Sequence, residues 1–101
     1  MPELSSAQRK ALRGQAHHLE PIVLIGKSGI TETLVRSTGD ALQAHELIKI
    51  RFNDFKDQKK EMTAELAKAT ESEVAGIIGH VAILYRENEK PEKRKITIPK
   101  A

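Results

Sequence analysis

Apolar positions recur along this chain with two different periods. Placed at about 100° per residue, Leu4, Ala11, Leu12, Ala16 and Leu19 fall on one side, so the first segment is helical. Ser5 with Gln8 three residues later fits a capping box, which predicts a helix starting at Ser5. Glu20-Pro21 ends it, because proline cannot donate and disfavours helical backbone before it. Pro21–Ile25 then reads as a strand built on the apolar run Ile22-Val23-Leu24-Ile25. Thr31 is a natural N-cap and Glu32 suits a first turn. Leu34, Thr38, Ala41, Leu42 and His45 carry a 3.6-residue stripe on to about residue 45.

The period changes to two over Glu46–Asn53. Ile48, Ile50 and Phe52 point one way and Lys49, Arg51 and Asn53 the other, which predicts a half-buried strand with a basic outer face. A third helix is expected from near Asp57 to about Thr70, with Met62, Leu66 and Ala69 at core spacing. Its Lys56, Lys59 and Lys60, offset by Glu61 and Glu65, read as an ordinary solvated surface. Val74–Ile78 and Val81–Tyr85 are two apolar runs around Gly79, a hairpin or strongly bent strand pair. The tail from Glu87 is charged, contains Pro91 and ends on a β-like Lys95-Ile96-Thr97-Ile98, a short strand or a flexible basic arm.

The order is α-β-α-β-α-β-β. Strand–helix–strand crossovers imply parallel neighbours and right-handed connections, and the last two strands add an antiparallel pair. The expected fold is α/β of the α+β kind: two layers, with helices packed on a small mixed four-stranded sheet.

Composition adds bounds. The 101 residues suffice for one modest core, and 39% hydrophobic with 31% charged residues is a globular balance. The absence of cysteine excludes disulfides, thiolate chemistry and cysteine zinc sites. No run approaches a membrane span, and the N-terminus is polar where a signal peptide needs an apolar core, so a cytoplasmic protein is expected. The net charge of +3 is uneven: residues 1–36 carry +2, residues 86–101 carry +3, and the centre carries −2. Basic ends around a near-neutral centre suit a polyanionic partner.

The candidate chemistry sits at Gly26-Lys27-Ser28-Gly29, between the first strand and the second helix. Two glycines let the backbone turn, and the loop amides with the free N–H groups of the next helix can face an anion. A nucleotide P-loop is rejected, because Pro21 stands where that motif needs its first glycine and no apolar strand ends in a magnesium-binding Asp. His17, His18, His45 and His80 lack paired metal spacing, Ser28 lacks a His–Asp relay, and no cofactor, metal or catalytic site is expected. A Gly-x-x-Gly loop can instead clamp a nucleic-acid backbone, as in KH modules, although there it joins two helices. Arg9, Lys10, Arg13 and His17 crowd an arc of about 100° opposite the apolar side of the first helix, adding a basic face. With only Phe52, Phe55 and Tyr85 as aromatics, recognition of structured RNA by shape and phosphate contacts is expected over reading of splayed bases. Tyr85 reads as core with its hydroxyl at the rim.

Four ordered stretches together resemble the CRM (chloroplast RNA splicing and ribosome maturation) domain: Leu12–Pro21, Ile25–Thr31, His45–Ile50 and Ile78–Arg86. The resemblance covers about residues 3–87, and a chain with little beyond the domain is similar to the stand-alone bacterial form. It implies an RNA-binding domain over 1–87, a tail over 88–101, and a fold similar to the C-terminal domain of translation initiation factor three. It further implies a non-enzymatic role in ribosome assembly, on ribosomal RNA in large-subunit precursors. The family's loop maps onto Gly26, Lys27, Ser28 and Gly29, and its basic surface onto Arg9, Lys10, Arg13, Lys27, Lys49 and Arg86. His80 stands where family members often carry a basic residue. A monomer that also meets ribosomal proteins is expected. Two other readings stay open: a protein–protein adaptor whose basic face meets an acidic partner, and a small-anion binder at the glycine loop.

Overall fold

The computed structural model describes residues 3–100; residues 1–2 of the expected 1–87 domain and residue 101 of the expected tail lie outside the described residues. Helix α1 (Ser6–Ala16) starts on both halves of the capping box. Gln8 N donates to Ser5 Oγ at 3.1 Å and Ser5 N donates to Gln8 Oε1 at 3.0 Å. There follow β1 (Val23–Ile25), α2 (Glu32–His45), β2 (Leu47–Phe52), α3 (Lys59–Ala69), β3 (Glu73–Ile78) and β4 (Val81–Tyr85). Helix α3 is entered through a 3-10 turn at Lys56–Gln58. Thr31 caps α2, its Oγ1 accepting from Leu34 N at 3.0 Å. The expected element order is what the chain adopts.

The strands form one mixed sheet in the order β1-β2-β4-β3. β1 and β2 are parallel, while β4 is antiparallel to both of its neighbours. β3 therefore runs parallel to β2, as a helical crossover demands, but it is not its neighbour. The hairpin return places β4 between them.

Helices pack on both faces of the sheet. Ile48, Ile50 and Phe52 of β2 join Ala82 and Leu84 of β4 in a core against Leu42 of α2 and Leu66 of α3. The opposite parity, Leu47 of β2 with Ile83 and Tyr85 of β4, packs on Leu12 and Ala16 of α1. The helices thus flank the sheet as three layers where two were expected. The reason is visible in β4, where both alternating sets of side chains are apolar and each needs a cover. On α3 the buried line is Thr63, Leu66 and Ala67, and the expected core residue Ala69 is exposed. His45 is exposed as well, so the α2 stripe ends at Leu42.

The tail is neither a strand nor a free arm. It makes a 3-10 turn at Pro91–Lys93 and is then held by the carboxylate of Glu46, a residue 1% exposed. Asn88 N donates to Oε2 at 2.6 Å, and Lys95 N and Ile96 N donate to Oε1 at 2.6 and 3.0 Å. Glu46 sits at φ 64°, a left-handed backbone that costs energy outside glycine and is kept where the side chain is needed. Beyond it Ile96 and Ile98 pack on the α1-side core, while Gln15 and Gln8 donate to the carbonyls of Thr97 and Pro99. Tyr85 is fully buried here, and its hydroxyl lies inside without a partner among the described residues rather than at the rim. Burial, then the carboxylates of Glu87 and Glu46, push its pKa up to about 12.

Candidate nucleic-acid interface

The glycine loop closes as a turn, Gly29 N donating to Gly26 O at 3.0 Å, with Gly29 at φ 65°. That backbone favours glycine at the fourth position of the motif. A Cβ on Gly26 would meet nothing within 4 Å, so its surface is open to approach. Lys27 and Ser28 are exposed. Lys27 makes no side-chain hydrogen bond or ion pair among the described residues.

Two further loops are laid against this one. Asn53 N and Asp54 N donate to Ile25 O at 2.9 and 3.3 Å, which fixes the β2–α3 connection beside the glycine loop. Phe55, held at φ 54°, packs on the core under α2 and α3, its ring beside Gly29. Phe52 N donates to His80 O at 2.8 Å and so brings the β3–β4 turn to the same end of the sheet. Lys59 Nζ donates to Gly79 O and lies 3.1 Å from His80 Nδ1. His80 loses some hydration there and faces the charges of Lys59, Lys56 and Arg51, which together hold its pKa below the ordinary 6.5 despite Asp57 nearby. One end of the sheet therefore gathers Lys27, Arg51, Lys56, Lys59 and His80.

The other expected contacts are distributed differently. Arg13 is half-buried, its Nη1 donating to Ala75 O at 3.0 Å across β3. Lys49 Nζ donates to the carbonyls of His17 and Leu19 at 3.2 and 3.0 Å, binding the end of α1 to β2. Arg9 Nη1 donates to Leu4 O at 2.6 Å and so closes the start of α1. Lys10 is exposed on the same stripe as Arg13 and His17. Arg86 belongs to the other end of the sheet, where its guanidinium donates to Thr70 O at 2.9 Å and Gly39 O at 3.0 Å. It staples α2 to the end of α3 and is not gathered with the glycine loop.

Lys56 and Lys59 join this cluster, although the sequence pattern reads them as an ordinary solvated surface. Only the pairing of β2 with β4 brings them to His80. The one available signal was position, since both follow the strand that ends beside the glycine loop.

A family model for the CRS1/YhbY (CRM) domain matches residues 4–86. The chain belongs to this family. It is 35% identical over 101 residues to an RNA-binding protein of Haemophilus influenzae, with 99% of each chain covered. It is 33% identical over 97 residues to the protein named Probable RNA-binding protein YqeI in Bacillus subtilis, covering 95% of this chain and 99% of that one. Among solved structures, the solution structure of a Staphylococcus aureus protein superposes with a TM-score of 0.78 at 38% identity, over 95% of this chain and 99% of that one.

Proposed function

We propose that this CRM-domain protein is a non-enzymatic RNA-binding protein that acts in ribosome assembly, on structured RNA of large-subunit precursors. The observation that carries the reading is the convergence of three loops on one sheet end, which brings the open Gly26–Gly29 turn, with its Lys27, to the same end as Arg51, Lys56 and Lys59. The names of its relatives supply the ligand class.

In this reading a backbone phosphate approaches the uncovered surface of Gly26 and takes hydrogen bonds from loop amides, with Lys27 as a mobile counter-charge. Lys56 and Lys59 meet neighbouring phosphates, and Lys10 and Arg13 extend the contact along α1. Lys49 holds α1 and β2 in register and adds charge beside them. Arg86 contributes through the fold. Binding of this kind follows shape and charge, so it weakens steeply with salt.

Sedimentation of the tagged protein in a lysate, at low and high salt and with and without RNase, tests the ribosomal part. The reading expects salt-sensitive co-migration with particles at or just below the large subunit, abolished by RNase. Protein that stays at the top of every gradient contradicts it. Co-migration that survives RNase assigns the surface to a protein partner instead.

A further inference from the structure

Helix α1 covers only part of its face of the sheet. The uncovered part is a row running straight across all four strands. Leu24 of β1 pairs with Arg51 of β2, Arg51 with Val81 of β4, and Val81 with Ile78 of β3, so these side chains share one face. Leu24 is 54% and Ile78 61% exposed, two of the three large apolar side chains most open to solvent among the described residues. Between this row and α1 lies an open groove of about 470 Å³, its floor formed by Val81 and Ile83 and its walls by Arg13, His17, Lys49 and Arg51. Glu20 is the one acidic residue that lines it.

We infer that this groove seats unpaired nucleotides of the bound RNA, a proposal that rests on the RNA-binding reading above. An apolar floor between cationic walls matches a ligand with flat apolar faces strung on an anionic backbone, which is what a single strand offers. A duplex hides its base faces and would leave Leu24, Val81 and Ile78 in water. Arg51 stands in the middle of the row, where a planar guanidinium can stack on a base while its charge meets phosphate. The geometry also joins the two sites. Leu24 precedes Gly26 by two residues, about 7 Å along the strand, so a backbone held at the glycine loop passes directly onto the row. The preferred RNA is then a helix end continuing into a single strand, with aliphatic side chains in place of the aromatic platforms of other modules.

The test uses two labelled hairpin RNAs of equal phosphate number, one with a six-nucleotide unpaired 3′ tail and one fully paired, measured by fluorescence anisotropy. The wild type is expected to bind the tailed RNA about tenfold more tightly. Leu24→Ser with Ile78→Ser, two exposed positions whose fold is checked by thermal melting, is expected to abolish that difference and leave the paired RNA unchanged. Equal affinity for the two RNAs in the wild type, or a preference that survives in the double variant, overturns the inference. If Lys27→Ala weakens binding of both RNAs while no tail preference exists, only the nucleotide seat fails. If the wild type binds neither RNA, the RNA-binding reading fails with it.

Discussion

Arg13 lies across β3 directly above Gly76. A Cβ on Gly76 would come 2.6 Å from Arg13 Cδ and 3.2 Å from Cγ, so the arginine reaches Ala75 O only because that position is bare. The register of β3 against β4 shifts between Val74 and Gly76, at the same place. Arg13 is thus a clamp between α1 and the sheet as well as a cation of the α1 face.

Gly76→Ala is expected to lift Arg13 from β3 and to cost about 1–2 kcal/mol in urea unfolding, as overpacking does. In an Arg13→Ala background the same change should cost only a few tenths, because nothing remains to clash. An equal cost in both backgrounds would show that the two residues do not act together.

Glu46→Ala leaves the N–H groups of Asn88, Lys95 and Ile96 without their acceptor. A loss of about 3 kcal/mol is expected, with hydrogen exchange at those three amides accelerating before the sheet's. Burial acts to raise the Glu46 pKa, but the three backbone N–H groups and Arg94 outweigh it and hold the carboxyl below 4.5. The folded state therefore favours the carboxylate. Its stabilisation is complete above the ordinary range and is lost as pH falls through the lowered value. Acid unfolding should accordingly be shallower in Glu46→Ala than in the wild type.

Much of this fold was legible from the chain. Ser5 with Gln8, Thr31, and the alternation over Glu46–Asn53 announce their elements locally, because caps and periodicity are short-range physics. The glycine loop was legible for the same reason. What was hidden depends on residues far apart in sequence. The grip of Glu46 on the tail spans about fifty residues, and nothing near Lys95 signals it. Arg13, Lys49 and Arg86 read as surface cations because a pattern records charge and not the carbonyl that a long side chain will reach. The third layer was written in the two apolar parities of Val81–Tyr85, which a count of helices alone does not use.

His80 should titrate below 6.5 in the free protein, and Lys59→Ala should raise its pKa toward the ordinary value by removing the nearest cation. Proton-detected titration of the imidazole checks this. An unchanged midpoint in Lys59→Ala would mean that the cluster at the sheet end is not electrostatically coupled.

Arg86→Ala and Lys27→Ala should fail in opposite ways. Loss of Arg86 removes hydrogen bonds to Thr70 and Gly39 and is expected to cost about 2 kcal/mol of stability, with RNA affinity unchanged below the melting transition. Lys27 is exposed, so its loss should leave the melting temperature in place and weaken RNA binding. A melting temperature lowered by Lys27→Ala, or an affinity lowered by Arg86→Ala, would reverse these assignments.

The most direct test of a phosphate-binding sheet end is the salt dependence of affinity for one hairpin RNA, measured for the wild type, Lys27→Ala, Lys56→Ala and Lys59→Ala. The wild type should give a log–log slope of about −3 to −4, and each substitution should make the slope shallower by about 1 while weakening binding at low salt. A wild-type slope near zero, or slopes that stay the same in all three variants, would contradict the site described above.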